Sequence, residues 1–273
     1  MMSTKQIITL LLCCAPISLV FSQTQVQVLS KTSHETTLRL SLGDLQKITV
    51  TTPEGEAMVI GMEEGTPLLD AGNPDVPKFT TSLMIPNAGN MAVEILSTDF
   101  QDYSNVAVAP SKGNLLRKVD PSTVPFTYGT SYERNAFYPG VLADLKQPFV
   151  LRDVRGQALW IYPVQYNPVT RVLRVYSNIT LRVYPVGGSG ENEALPNRDH
   201  SISPSFRQLY QKLFLNFDAN YLSESRSGTE PERMLIIAKD EFVPDLEPYA
   251  AWKRQMGIHT TVIPASETGG TSA

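Results

Sequence analysis

The chain has 273 residues, 42% of them hydrophobic, and its 23 Lys and Arg against 27 Asp and Glu give a formal charge of −4. That balance, with no basic cluster, leaves no electrostatic footprint for nucleic acid. Both cysteines, Cys13 and Cys14, stand at the extreme N-terminus. A mature chain starting near Gln23 therefore has no thiol, which excludes disulfides, cysteine-ligated zinc and a cysteine nucleophile of its own.

The N-terminus reads as a signal peptide over residues 1–22. Lys5 and the terminal amine precede an apolar run of about fifteen residues, Ile7 to Phe21, shorter than the roughly twenty a membrane-spanning helix needs. Ser22 supplies a small residue before Gln23, so the exported chain is expected to keep no membrane segment. From Val26 to about Tyr184, short runs of Val, Ile, Leu, Thr and Tyr are punctuated by Pro, Gly, Asn and Asp at intervals of roughly ten residues, an all-β rhythm. Thr37–Leu40, Ala92–Leu96, Val172–Tyr176 and Ile179–Tyr184 alternate apolar with polar residues, as strands with one face in a core do. Asn167-Pro168-Val169-Thr170 is predicted to turn the strand at Leu159–Tyr162 back into the strand at Val172. The reading is mainly β, an antiparallel sandwich or barrel-like domain.

After a polar stretch from Gly187 to Ser203, Phe206, Leu209, Tyr210, Leu213, Phe214 and Phe217 recur at three and four, predicting a helix over 204–217 with Ser203 as its cap. Residues 222–233 read as a linker. Met234–Ala238, an amphipathic segment from Asp245 to Met256, Gly257 as its C-cap and His259–Ile263 then predict a β-α-β unit. Its unbroken apolar first strand suits a parallel sheet covered on both faces. Residues 234–273 are too few to close an α/β core, so this second domain is expected to be an N-terminal fragment with exposed apolar surface.

No residue constellation for catalysis or metal is visible. His34, His200 and His259 are far apart, and no G-x-S-x-G, S-x-x-K or H-E-x-x-H occurs; neither a cofactor nor a metal is expected. Arg152, Asp153 and Arg155 read as a strand-to-turn ion-pair group. Turn formers flank Leu116, Arg117 and Lys118 on both sides (Pro110–Gly113 and Asp120-Pro121), so this segment is expected to project as an extended loop, although most such arginines are simply solvated. An exposed arginine there suits a pocket with a buried carboxylate, through paired charge-assisted hydrogen bonds. Arg226 and Arg233 lie in the linker, where proteolytic nicking concentrates.

Four extended segments carry a family resemblance: VAPSKGNLLR (108–117), VPFTYGTSYERNAFYPG (124–140), PFVLRDVRGQ (148–157) and YNPVTRVLRVYSNI (166–179). They resemble the gingipain pro-domain. The stretch ERMLIIAKDEFVPDLEPYAAWKRQMGIHTTV (232–262) is similar to the start of the catalytic domain of the same C25 cysteine peptidase family. The resemblance implies a signal peptide (1–22), a pro-domain (23–221), a linker (222–233) and the opening of a caspase-like α/β catalytic domain (234–273). It further implies latency imposed by a substrate-like loop, with Arg117 in the specificity pocket and Leu116 and Lys118 beside it. The partner would be a C25 catalytic domain in cis or in trans, in a secreted or periplasmic setting. The family's catalytic His and Cys would lie beyond residue 273. Its maturation arginine would fall near Asn220 or Tyr221, where this chain has no basic residue, leaving Arg226 and then Arg233 as nearest candidates. A free-standing secreted inhibitor or binding module is the alternative.

Overall fold

The computed structural model describes residues 23–152, 154–194, 204–217 and 233–269. The expected signal peptide, the cap at Ser203 and nearly all of the linker lie outside them. In chain order the strands are β1 (Gln25–Lys31), β2 (Thr36–Ser41), β3 (Leu45–Thr52), β4 (Gly55–Met62), β5 (Thr66–Pro67), β6 (Pro77–Met84) and β7 (Asn90–Tyr103). Then come β8 (Ala143–Leu145), β9 (Phe149–Leu151), β10 (Val154–Ile161), β11 (Val164–Asn167) and β12 (Val172–Gly187). Helix α1 (Pro204–Leu213) follows, and β13 (Arg233–Ala238), α2 (Val243–Gln255) and β14 (His259–Pro264) end the described chain.

All pairings up to β12 are antiparallel. One five-stranded sheet joins β1, β2, β12 and β11, with β7 also on β12; a second joins β5, β6, β10, β8 and β9; β3 and β4 pair with each other as a separate hairpin. The apolar residues of the two five-stranded sheets meet in one cluster, with Leu38, Leu40, Ile179 and Leu181 from the first sheet and Phe79, Leu83, Leu159 and Ile161 from the second. Burying this surface in place of water is the main force holding the two sheets together.

The two alternating runs at Val172 and Ile179 are a single strand of 16 residues. Its register shifts at Ser177, between the pairs Tyr176–Phe100 and Asn178–Asp99. A bulge lets one strand change the direction of its side chains. Leu173 accordingly packs with Ile60, Val76, Val108 and Tyr166 in a second cluster, while Tyr176 and Ile179 pack in the first. The predicted turn at Asn167–Thr170 forms, with the Asn167 side-chain oxygen accepting the Thr170 N–H at 3.2 Å. The strand entering it is β11, however; Leu159–Ile161 belongs to β10 in the other sheet, because Tyr162 and Pro163 break the run.

Helix α1 stops at Leu213, short of the expected Phe217. Phe214 forms a bridge to Ser82 instead, and the Leu215 N–H donates to the Ser82 carbonyl at 2.9 Å. Tyr210 and Phe214, both buried, join Met84 and Val154 in a third cluster. Buried Asn216 then locks the segment: its oxygen accepts the Met84 N–H at 2.7 Å, and its amide donates to the Met84 carbonyl at 2.9 Å and to Thr36 Oγ1 at 2.8 Å. Asn216→Ala leaves these groups without partners, and a loss of about 2–4 kcal/mol is expected. Urea unfolding checks it through a lowered midpoint at unchanged slope.

Residues 233–269 form a β-α-β unit with β13 and β14 parallel, Arg233 opposite His259. Gly257, at φ +84°, ends α2: its N–H donates to the Arg254 carbonyl and the Ile258 N–H to the Lys253 carbonyl, a Schellman closure that a left-handed glycine permits. Leu235 and Ile237 are 59% and 54% exposed. Apolar surface on this unit is therefore open.

Candidate functional site

The segment carrying Arg117 starts from a pinned arm. The Met58 N–H donates to the Ala107 carbonyl, the Ala109 N–H to Met58 and the Asp75 N–H to Ala109, each at 2.8 Å. The Ser111 N–H reaches the Asn73 carbonyl at 2.7 Å, and the Gly72 N–H reaches Ser111 at 2.9 Å. Gly113, at φ +79°, then turns the chain so close to Ala71 that an added Cβ would stand 2.9 Å from the Ala71 Cβ. Glycine is needed here both for the left-handed backbone and for the space.

The returning arm is fixed separately. Asp120 accepts the Ser122 N–H at 2.8 Å and so caps a one-turn 3-10 helix at Pro121–Thr123. That hydrogen bond holds the Asp120 carboxyl below its ordinary value of 3.8. Lys112 ties the two arms together, its ammonium donating to the Pro121 carbonyl at 2.8 Å and lying 4.2 Å from the centre of the Phe126 ring. A charge-assisted hydrogen bond and a cation–π contact on one ammonium make a defined neck.

Above this neck Leu116, Arg117 and Lys118 are exposed, Leu116 by 67%. No hydrogen bond, ion pair or ring contact among the described residues engages the side chain of Arg117 or Lys118. The tip is not extended, contrary to the sequence expectation: the Val119 N–H closes onto the Leu116 carbonyl at 2.9 Å, so 116–119 is a turn. The reason is local, since ten residues between fixed ends must reverse direction.

The other basic candidates are placed differently. Arg226 lies outside the described residues, and Arg233 opens β13 instead of closing the linker. Arg155 turns away from any ion-pair group at the strand end. It is fully buried and donates to the carbonyls of Pro86, Gly89 and Glu191 at 2.9, 2.9 and 2.7 Å. Arg152 lies over the Phe206 ring, 4.4 Å from its centre, and Asp153 falls outside the described residues. Among the described residues no three His, Cys, Asp or Glu side chains are grouped to hold a metal. The sequence reading missed Lys112, Asp120 and Gly113 as the brace; the Asp-Pro step and the glycine were its available signals.

The described residues thus combine mainly antiparallel β structure and a braced basic tip with a parallel β-α-β unit. The chain belongs to the C25 propeptide family, whose model, Propeptide_C25, matches residues 20–223. Gingipain R1 of Porphyromonas gingivalis is 36% identical over 241 residues, covering 87% of this chain and 24% of that protein. Lys-gingipain of the same species is 30% identical over 243 residues, covering 85% of this chain and 14% of its own length. This chain thus spans a quarter or less of either relative.

Two solved structures share the fold. The complex of the Porphyromonas gingivalis RgpB pro- and mature domains matches with a TM-score of 0.66 at 36% identity, over 71% of this chain and 98% of the matched one. A structure described as giving insight into the zymogenic latency of gingipain K from that species matches with a TM-score of 0.52 at 26% identity, over 61% and 94%.

Proposed function

We propose that residues 23–221 are the pro-domain of a secreted C25-type cysteine endopeptidase, and that they keep it latent by placing Arg117 in its specificity pocket. The observation that carries this reading is the braced loop itself, whose basic tip is engaged by nothing among the described residues. A tip fixed at its base loses little conformational freedom on docking, so more of the contact energy is retained as affinity. Its turn supplies a reason for slow cleavage, since the peptide bond after Arg117 must leave the 116–119 closure to become extended.

Family membership and the two related structures support a zymogen role, and the cluster shared by both sheets supports a sandwich. Residues 234–273 are assigned to the opening of the caspase-like catalytic domain, residues 1–22 to export and 222–233 to the junction. Maturation is assigned to Arg226 ahead of Arg233, because cleavage at Arg233 acts on a residue already paired in a strand. The test is a titration of an arginine-specific C25 peptidase with the purified chain from Gln23 onward. Competitive inhibition that fades as the chain is slowly cut is expected; full activity at a large excess of the chain contradicts the reading.

A further inference from the structure

At the foot of the Arg117 loop lies an open groove of about 690 Å³. One wall is the loop itself, through Lys112, Gly113, Leu115 and Pro121; the apolar surface includes Ile60 and Met62. Asp75 also lines it. Its backbone is clamped on both sides, the N–H donating to Ala109 at 2.8 Å and the carbonyl accepting from Ile60 at 3.3 Å. The side chain has no such support: Oδ1 is shut off from water and meets no donor among the described residues. Lys112, the ammonium on the same groove, is committed to Pro121 and Phe126. Tyr132 and Tyr138, the titratable groups that sense Asp75 electrostatically, direct their hydroxyls to the Val108 carbonyl and to Asp70.

A carboxylate that is partly desolvated and unpaired is costly, and chains retain such groups where a ligand supplies the missing charge. Burial indeed pushes the Asp75 carboxyl above its ordinary value. We propose that this groove receives a basic side chain, Lys or Arg, from the rim of the peptidase domain, which pairs with Asp75 while Arg117 occupies that domain's pocket. The occupant follows from position and charge: any body that takes Arg117 stands over the loop that walls the groove, and a cation is the group that best answers a carboxylate lining it; because Oδ1 is closed to water, the pairing is through Oδ2. The inference rests on the latency reading and adds to it a second anchor of opposite polarity.

Asp75→Asn tests it, because the variant removes the charge and keeps the shape. In the free protein the carboxylate's raised pKa means that its charge opposes folding above that pKa and ceases to do so below about 3.8. The variant is therefore expected to melt above the parent at neutral pH, by about 2–4 °C, with the gap closing as pH falls. Against an arginine-specific C25 peptidase it is expected to inhibit roughly tenfold to a hundredfold less tightly, with a weaker dependence on salt. Stability gained together with affinity lost marks a binding residue, since a merely structural residue loses both. Undiminished inhibition by Asp75→Asn, or a melting temperature lowered in step with inhibition, overturns the second anchor alone. No inhibition by the parent chain overturns it together with the latency reading.

Discussion

Arg117→Ala is expected to weaken inhibition of an arginine-specific C25 peptidase by a hundredfold or more, roughly 3 kcal/mol, while leaving the melting temperature of the free chain unchanged. The size follows from what is lost at the interface. A guanidinium held in a pocket by a carboxylate makes paired charge-assisted hydrogen bonds, and truncation leaves that carboxylate buried without a partner. The absence of a stability effect follows from the free structure, where the exposed Arg117 side chain makes no hydrogen bond, ion pair or ring contact among the described residues and the neck is held by Lys112 and Asp120. Leu116→Ala, beside it, is expected to cost only a few fold, since a rim contact contributes mainly by excluding water. Inhibition constants from progress curves, paired with thermal unfolding, check both parts.

Arg155→Met is expected to cost about 3 kcal/mol of stability, with a fall in melting temperature near 10 °C. Among the described residues Arg155 hydrogen-bonds no carboxylate; its NH1 and NH2 groups serve three carbonyls. Those carbonyls belong to the turn after β6 and to the segment after β12, so one side chain joins two stretches far apart in sequence. Glu193 completes the join by accepting the N–H groups of Gly89 at 2.9 Å and Gly190 at 2.7 Å, which holds its carboxyl below the ordinary value. Methionine fills a similar volume and satisfies none of the acceptors. Arg155→Lys restores one donor group and should recover part of the loss, a gradation that bulk alone does not produce. A melting temperature within about 2 °C of the parent for Arg155→Met contradicts this role.

Much of the architecture was legible because a two-residue period survives wherever one strand face is buried. Thr37–Leu40 and Ile179–Tyr184 showed their buried faces directly. What the period hides is register: the bulge at Ser177 fused two predicted strands into one, and nothing in the local composition marks it. The helix over 204–217 was overextended because Phe214 and Phe217 continue its spacing, although Phe214 is used in a strand bridge and Asn216 in a buried latch. Arg155 was misplaced for a similar reason. Beside Arg152 and Asp153 it has the look of a surface charge group, and its carbonyl partners are 36 to 69 residues away in sequence. The loop position of Arg117 was legible from its flanking turn formers, but the arm that leads into it is pinned by contacts of residues 109–113 with residues 71–75, which local sequence cannot show.

The most direct test of Arg117 as the pocket residue is a change of preference. The parent chain and Arg117→Lys are titrated in parallel against one arginine-specific and one lysine-specific C25 peptidase. Guanidinium and ammonium differ in shape and donor geometry, so a pocket that reads one discriminates against the other. The expected result is that Arg117→Lys loses affinity for the arginine-specific enzyme and gains it for the lysine-specific one, with equal melting temperatures. Unchanged inhibition of both enzymes contradicts the placement of Arg117 in the pocket.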